Sequence, residues 1–502
     1  MRLSINQIDA GLFRAIPPLK RKSGNQGTKK TNFQYKDCVC AFDIETTRYG
    51  DDDSSDCAIM YIWQFQIGLD VTIVGRSWKE FHKLIRMIKD GLEDGERLVV
   101  YVHNLSYEFQ FLRDNSVLGR DIDARSVFLL SSRKVLRFMT KDAKLEFRCS
   151  YIHSNMSLDV FTDKMNVEHK KLSGKEYDYD KPRFPWTPMT PRELDYACND
   201  VQGLVEAIVK EMSIDGDNLY TIPLTSTGYV RRDIRAAVRE GLPKGWVQER
   251  KPDFETYRLL REAFRGGNTH ASRFNSNRVI EGPIYEYDRS SSYPDVQLNG
   301  KFPVSKFHNP KEVTKKLFTR CIEQGYCVVA RLEFTNMRIR GDGVLQVQVP
   351  YISKSKCLDD KGMLDRDAIE DNGRIVFSPK VTISVTEVDL EIILRQYVFD
   401  EMRVLDFRFA NKGSLPECIK EVIRKYYRMK TELKGKPEFD ILYMKSKNKL
   451  NSIYGNSAQD PGKISVLYRP DARTVDGYIE GFYNRKTGEE QFFRSLRRLC
   501  AG

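Results

Sequence analysis

Long apolar runs are missing from this chain. No stretch approaches the length needed to span a bilayer, and Met1–Lys22 lacks the apolar core of a secretory signal. These absences set aside a membrane protein and a secreted one, and the expected location is the cytoplasm, a host's cytoplasm for a viral chain. The ten cysteines form no Cys-x-x-Cys pair. Only Cys38 and Cys40 are close, at a spacing that suits neither a zinc site nor a local disulfide, so the cysteines read as reduced core residues. No internal repeat is visible. What is present is a 502-residue chain with 40% apolar content, enough for about three folded domains. A net charge of +12 is modest for this length but favours a polyanionic partner. The plain alternative is a soluble protein that is merely basic.

Residues 18–31, rich in Lys, Gly, Asn and Thr, read as a basic arm, part of an N-terminal arm 1–36. From Asp37 onward, β-type runs (Cys38–Ile44, Ile59–Ile67, Leu98–Val102) alternate with a helical pattern at Trp78–Leu92, as in an α/β layer domain over 37–223. The sequence Thr190-Pro191-Arg192-Glu193 marks a helix start: a capping Thr, Pro at the first position and Glu closing a capping box. That helix is expected to run to about Met212. A linker and first central part then occupy 224–300, with an extended run up to Asp288, and an inserted α/β module covers 301–380. The central part resumes over 381–414, Thr386–Tyr397 and Pro416–Leu433 read as helices, and a helical segment fills 415–460. The tail Phe492–Gly502, within 461–502, is basic and lacks a strand pattern.

Alternate side chains of a strand share a face, so Asp43 and Glu45 project together from the end of Val39-Cys40-Ala41-Phe42. Side-by-side carboxylates repel unless a cation joins them. Tyr196 and Asp200, one helical turn apart, share another face. With Glu108, these groups have the spacing of a nuclease that holds two Mg²⁺ ions about 4 Å apart, with Mn²⁺ as a substitute, and Tyr196 orienting the attacking water. Each pair taken singly reads more simply as a solvated strand end or helix surface pair, but three in sequence order do not.

The motifs Asp43-Ile44-Glu45, His103-Asn104-Leu105-Ser106-Tyr107-Glu108-Phe109 and Tyr196-Ala197-Cys198-Asn199-Asp200 resemble the three 3′–5′ exonuclease motifs of family B DNA polymerases. The nearest subgroup is the protein-primed one of small tailed phages and linear plasmids. The second motif departs from the family, which usually has Asp where this chain has Glu108. The resemblance implies a ribonuclease H-like exonuclease domain followed by a right-hand polymerase domain. It also implies that Asn104, Ser157 and Leu158 contact a single-stranded primer end, with ordinary core and turn packing the other reading of Ser157 and Leu158. A proofreading lysine falls at Lys171 or Lys175.

A second constellation suits nucleotide addition. The run Gly282–Tyr287 reads as a strand leading into Asp288, whose carboxylate at the strand end could bind Mg²⁺ and the incoming triphosphate, and backbone amides of Ser290, Ser291 and Ser292 could hold phosphate oxygens. Tyr287-Asp288-Arg289-Ser290-Ser291-Ser292-Tyr293-Pro294 resembles the family's motif A, with Ser292 for the usual Leu, which implies that Tyr293 stacks under the sugar. Lys447, Asn451 and Tyr454 fall on one helix face, and Gly455 beside them admits a base pair. They match motif B at every defined position, which implies that Lys447 binds the triphosphate. By the same resemblance Lys430 is a second triphosphate lysine, and Phe264-Arg265-Gly266-Gly267 is the DNA-contacting turn that joins the two modules, with Phe for Tyr.

The family's Tyr-x-Asp-Thr-Asp hairpin does not occur; Asp460, Asp471 and Asp476 are isolated. The expected architecture is therefore α/β and α+β multidomain with an incomplete right-hand polymerase domain of palm and fingers that lacks half the palm and the thumb, and Asp288 alone is not expected to retain two Mg²⁺ ions. The leading expectation is a viral-type, protein-primed DNA polymerase with a 3′–5′ exonuclease. Its partners would be template and primer DNA, dNTPs, a priming terminal protein and a second polypeptide completing the palm. The rivals are a Mg²⁺-dependent exonuclease alone and a non-catalytic single-strand-binding protein that uses basic and aromatic side chains.

Overall fold

The computed structural model of this chain describes residues 1–20, 33–49, 57–131, 133–171, 181–271, 275–341, 349–459, 468, 476–483 and 490–498. The chain divides into two compact units, one of residues 1–232 with 429–502 and the other of residues 233–428.

The first unit is built on an eight-stranded mixed sheet. Its strands are β1 (Arg2–Ser4), β2 (Gln34–Tyr49), β3 (Cys57–Ile67), β4 (Val71–Gly75), β5 (Glu96–Val102), β6 (Phe128–Ser131), β7 (Lys134–Met139) and β8 (Leu145–Cys149), in the order β1-β4-β3-β2-β5-β8-β7-β6. Neighbours β2 and β3 are antiparallel, whereas β2, β5 and β8 run parallel. The parallel connections carry helices α1 (Trp78–Gly91) and α2 (Leu105–Leu112), as crossovers require. Ser77 caps α1 by accepting from the Glu80 amide, and Phe81, Leu84, Ile85 and Ile88 bury one stripe of it. Further along lie α3 (Ser150–Ser154), α4 (Leu158–Lys164) and α5 (Pro191–Asp215). The Thr190–Glu193 capping box forms, and α5 continues one residue short of Gly216, whose φ of +67° ends it.

Two expectations for this unit change. Residues 1–36 are not all arm: β1 pairs in parallel with β4, and Ile5 and Phe13 are buried in the core below the sheet. Their apolar side chains outweigh the local basic character. The tail is also not strandless, because Glu490–Arg498 pairs antiparallel with Asp476–Tyr483. Asp460 and Asp471 lie outside the described residues.

Helix α6 (Ser226–Gly241) leads into the second unit, followed by α7 (Phe254–Ala263), α8 (Ser292–Asn299) and α9 (Lys315–Glu323). Its sheet has β9 (Cys327–Ile339) at the centre, with β10 (Ile369–Asp371), β11 (Arg374–Thr386), β12 (Tyr397–Val398) and β13 (Glu401–Ala410) in the order β10-β11-β9-β12. β13 also pairs antiparallel with β9. The expected boundary between residues 380 and 381 falls inside β11, which pairs with β9 from Phe377 to Thr386. Helix α10 (Glu387–Gln396) starts with a Thr386–Asp389 capping box. Helix α11 (Glu417–Leu433) brings the chain back to the first unit, which α12 (Asp440–Ser457) rejoins.

The run Gly282–Tyr287 is not a strand, contrary to expectation. It pairs with no strand among the described residues, and an unpaired extended backbone has no ladder to define it. Large side chains in it and just before it face solvent: Val279, Ile280, Ile284, Tyr285 and Tyr287 are between 54% and 92% exposed.

Candidate active sites

Along β2, Val39 and Ala41 bury against Val201, Leu204, Val205 and Ile208 of α5, while Cys40, Phe42 and Ile44 enter the opposite core. Two-residue alternation therefore turns Asp43 and Glu45 toward α5. One carboxylate oxygen each from Asp43, Glu45 and Asp200 lies within 4.8 Å of the others. Glu108, on α2, is buried beside them and acts electrostatically with Asp43. Burial pushes the Asp43 carboxyl up to about 7, and Asp200 adds to the effect. Burial first, and Asp43 second, also holds Glu45 and Glu108 well above the usual carboxylate range. Asp200 is raised by burial against the opposing pull of Lys171.

The two lysine candidates now separate. Lys171 Nζ donates to Asp200 Oδ2 at 2.6 Å and lies 5.9 Å from the centre of the buried Tyr196 ring, whereas Lys175 is outside the described residues. Two features of α5 hold Lys171 there. Glu206 accepts from the amides of Glu168 and His169 at 2.9 and 3.0 Å. Gly203 lets the segment pass closely, since a Cβ at that position would stand 2.0 Å from the His169 carbonyl oxygen. Gly203→Ala is accordingly expected to cost about 1–3 kcal/mol of stability through overpacking and to carry Lys171 away from Asp200. Denaturant melts and nuclease rates would check this, and unchanged values in both would count against the close approach.

Asn104 occupies the position before α2 with φ of +61°, a left-handed conformation that Asn tolerates, and its side chain is exposed. His103 is turned inward: Nδ1 lies 2.9 Å from Ser150 Oγ, Nε2 is buried without a partner, and burial followed by Lys171 lowers the ring to about 4. Ser157 is exposed and caps α4, while Leu158 is 6% exposed and packs in the core on the α5 side of the sheet. Of these last two, only the Ser157 side chain is therefore open to a strand.

The nucleotide-addition residues are divided between the units. In the second unit Asp288 is exposed and belongs to none of the metal-capable groups among the described residues. Ser291 precedes α8 with φ of +53°, and Tyr293 is half exposed. A Cβ on Gly267 would lie 3.7 Å from the Tyr293 hydroxyl, so the Gly266-Gly267 turn adjoins this motif, with Phe264 under the Arg261 guanidinium at 5.7 Å. In the first unit Lys447, Asn451 and Gly455 are exposed along α12, Tyr454 is half-buried, and a Cβ on Gly455 would meet nothing within 4 Å. Lys430 is half-buried on α11.

A family model described as DNA polymerase type B, organellar and viral, matches residues 137–491, more than half of the chain. The chain belongs to this polymerase family. It is a DNA-directed DNA polymerase by that membership, and divalent metals are general to the family. No curated protein matches it. Among solved structures, Phi29 DNA polymerase complexed with primer-template DNA is 15% identical, with a TM-score of 0.63, over 92% of this chain and 72% of that one. The same polymerase with primer-template DNA and incoming nucleotides has a TM-score of 0.59 at 15% identity, covering 92% of this chain and 73% of that one. Its complex with single-stranded DNA gives the same TM-score, identity and coverage. At that identity the likeness shows the fold. No helix among the described residues of this family B chain is long and apolar enough to cross a membrane.

Sequence reasoning missed several charged groups near these sites. Arg183, which donates to Glu193 at 2.8 Å and acts electrostatically on Glu45, carried no motif. Glu211 and Asp215 of α5 meet Lys445 and Lys449 of α12. Their signal was present as complementary i, i+4 pairs on two separate helices, which only the fold brings together.

Proposed function

We propose that the first unit carries the polymerase's 3′–5′ exonuclease, acting on single-stranded primer ends with Mg²⁺, or Mn²⁺ in its place. The observation that carries this reading is the convergence of Asp43, Glu45 and Asp200 from a strand and a distant helix onto one buried point. The site fits a hard cation: Asp200 Oδ1 and Glu108 Oε2 are buried oxygens with no hydrogen-bond donor, and the crowded carboxyls are held partly protonated until positive charge arrives. Asp43, Glu45, Asp200 and Glu108 would hold the ions. Bound divalent ions supply an activated water and stabilise the leaving 3′ oxygen. Lys171 offsets the anionic charge at Asp200, Tyr196 orients the attacking water, and Asn104 and Ser157 position the strand. The experiment is degradation of 5′-labelled single-stranded DNA with and without Mg²⁺; no Mg²⁺-dependent shortening would remove the reading.

For synthesis we propose that Asp288, Ser291 and Tyr293 of the second unit serve template, primer and dNTPs, with Phe264, Gly266 and Gly267 along DNA, and that Lys430, Lys447, Asn451 and Tyr454 of the first unit bind the triphosphate, with Gly455 along DNA. Protein priming through a terminal protein, and action in a host's cytoplasm, belong to the same reading. Asp288 does not by itself fit a two-ion centre, because one exposed carboxylate cannot offset the dehydration of hard cations. The exposed run at 279–287, which pairs with no strand among the described residues, supports a second polypeptide that adds strands there and brings further carboxylates. The exposure of Asp288 equally favours a second reading, exonuclease alone with the remainder as a DNA clamp. Primer extension separates the two. Extension by the chain, alone or with a neighbouring gene product, is expected to fall at least about a hundredfold in Asp288→Asn, and extension that survives this change would reject Asp288 as a ligand.

A further inference from the structure

Helix α12 carries two sets of residues on opposite faces. Two residues advance an α-helix by about 200°, so Lys445, Lys449 and Asn456 point away from Lys447, Asn451 and Tyr454. The first set is pinned within the same unit. Lys445 Nζ donates to Glu211 Oε1 at 2.9 Å and also to Asp215. Lys449 Nζ donates to Asp215 Oδ1 at 3.0 Å, and Asn456 Nδ2 donates to the Thr227 carbonyl at 3.2 Å. The four charged side chains are only 7% to 16% exposed. Glu211 Oε2 faces His153 Nε2 at 2.7 Å, and both ammonium groups lie near the Tyr229 ring, 5.2 and 5.1 Å from its centre.

Beside these pins the packing is open. A cavity of about 250 Å³ lies against them, lined by Met156, Phe161, Met165 and Tyr229, and the Tyr229 hydroxyl is buried with no partner. Close-packed side chains would resist rotation of a helix, but a void does not. Leu450 and Ile453 pack an adjoining face of α12, and on this flank its roll is held by charge-assisted hydrogen bonds, which are short and directional.

We propose that Glu211 and Asp215, on the same α5 that carries Asp200, are positioning residues for nucleotide binding: through Lys445 and Lys449 they fix the roll of α12 and hence the presentation of Lys447, Asn451 and Tyr454 to a triphosphate. The inference rests on α12 being the nucleotide helix, as in the proposed function. A displacement of about 1 Å at a positioning group is enough to cost one to two orders of magnitude.

The test uses the full chain bound to primer-template DNA with Mg²⁺ and a fluorescent dATP analogue. Asp215→Asn is expected to weaken nucleotide binding about tenfold and to leave single-strand degradation within about twofold, while Asp215→Glu, which keeps both ion pairs, restores affinity. Lys447→Ala is the reference for the helix itself and should weaken binding at least as much. If Lys447→Ala weakens binding and Asp215→Asn does not, the positioning role is overturned. Parallel loss of nucleotide binding and degradation in Asp215→Asn also overturns it, because that is the pattern of a general folding defect. Absent binding by the unaltered chain, or unchanged binding in Lys447→Ala, removes the nucleotide-helix reading and the inference with it.

Discussion

Replacing Asp43 with Ala is expected to slow 3′–5′ degradation of single-stranded DNA by about a thousandfold, from loss of several kcal/mol of transition-state stabilisation at the metal centre. Asp43 shares its carboxylate cluster with Glu45 and Asp200, one oxygen of each within 4.8 Å of the others, and acts electrostatically on Glu108, so its removal takes a shared anionic group out of the centre. The electrostatics add a second expectation of opposite sign. Burial and Asp200 raise the Asp43 carboxyl to about 7, which means that without a cation the folded state resists its ionisation. Removing that carboxyl relieves the metal-free fold, and the Ala variant should melt at or above the temperature of the parent without Mg²⁺. Added Mg²⁺ should then stabilise the parent and leave the variant nearly unmoved, by mass action on a site that only the parent has. Calorimetry with and without MgCl₂ and a gel assay on labelled DNA read both. Full degradation by Asp43→Ala, or equal Mg²⁺ stabilisation of both proteins, would place the nuclease elsewhere.

The strand and helices around that centre were legible because their signals are local. Alternation in Val39–Glu45 fixed which residues share a face of β2, and Thr190-Pro191-Arg192-Glu193 fixed where α5 begins. Together they determine that Asp43, Glu45 and Asp200 can meet. The choice of Lys171 was not legible, since it depends on Gly203 and Glu206, 32 and 35 residues further on, drawing the segment against α5. Gly282–Tyr287 was misread for a related reason. Its residues favour a strand, but a strand exists only where another supplies hydrogen bonds, and none of the described ones does. The tail went the opposite way: a basic composition hid a hairpin whose partner strand starts at Asp476. Leu158 sat in a motif, but its burial follows from the core between β2 and α5, which no motif encodes.

Glu146→Gln is expected to destabilise the first unit by about 3–5 kcal/mol, the cost of removing one partner from a buried ion cluster. Glu146 lies on β8 at 0% exposure and uses both carboxylate oxygens: Oε2 accepts from Tyr35 at 2.9 Å and Arg97 at 3.1 Å, and Oε1 from Arg148 at 2.9 Å. Arg148 in turn donates to Tyr35 at 2.8 Å and to the Leu219 carbonyl at 3.2 Å, tying β2, β5 and β8 to the loop after α5. Burial alone would raise the Glu146 carboxyl, but Arg148, Arg137 and Arg97 outweigh it and hold it at about 2, against an ordinary 4.5. A folded-state value below the unfolded one means that this stabilisation, about 3 kcal/mol, is complete above pH about 4.5 and is lost as the pH falls toward 2. The variant has no carboxyl to titrate there, so its stability should decline less between pH 5 and pH 3 than the parent's. Urea titrations at those two pH values measure the difference directly. Equal acid sensitivity of parent and variant would mean that the three guanidinium groups are balanced by something other than Glu146.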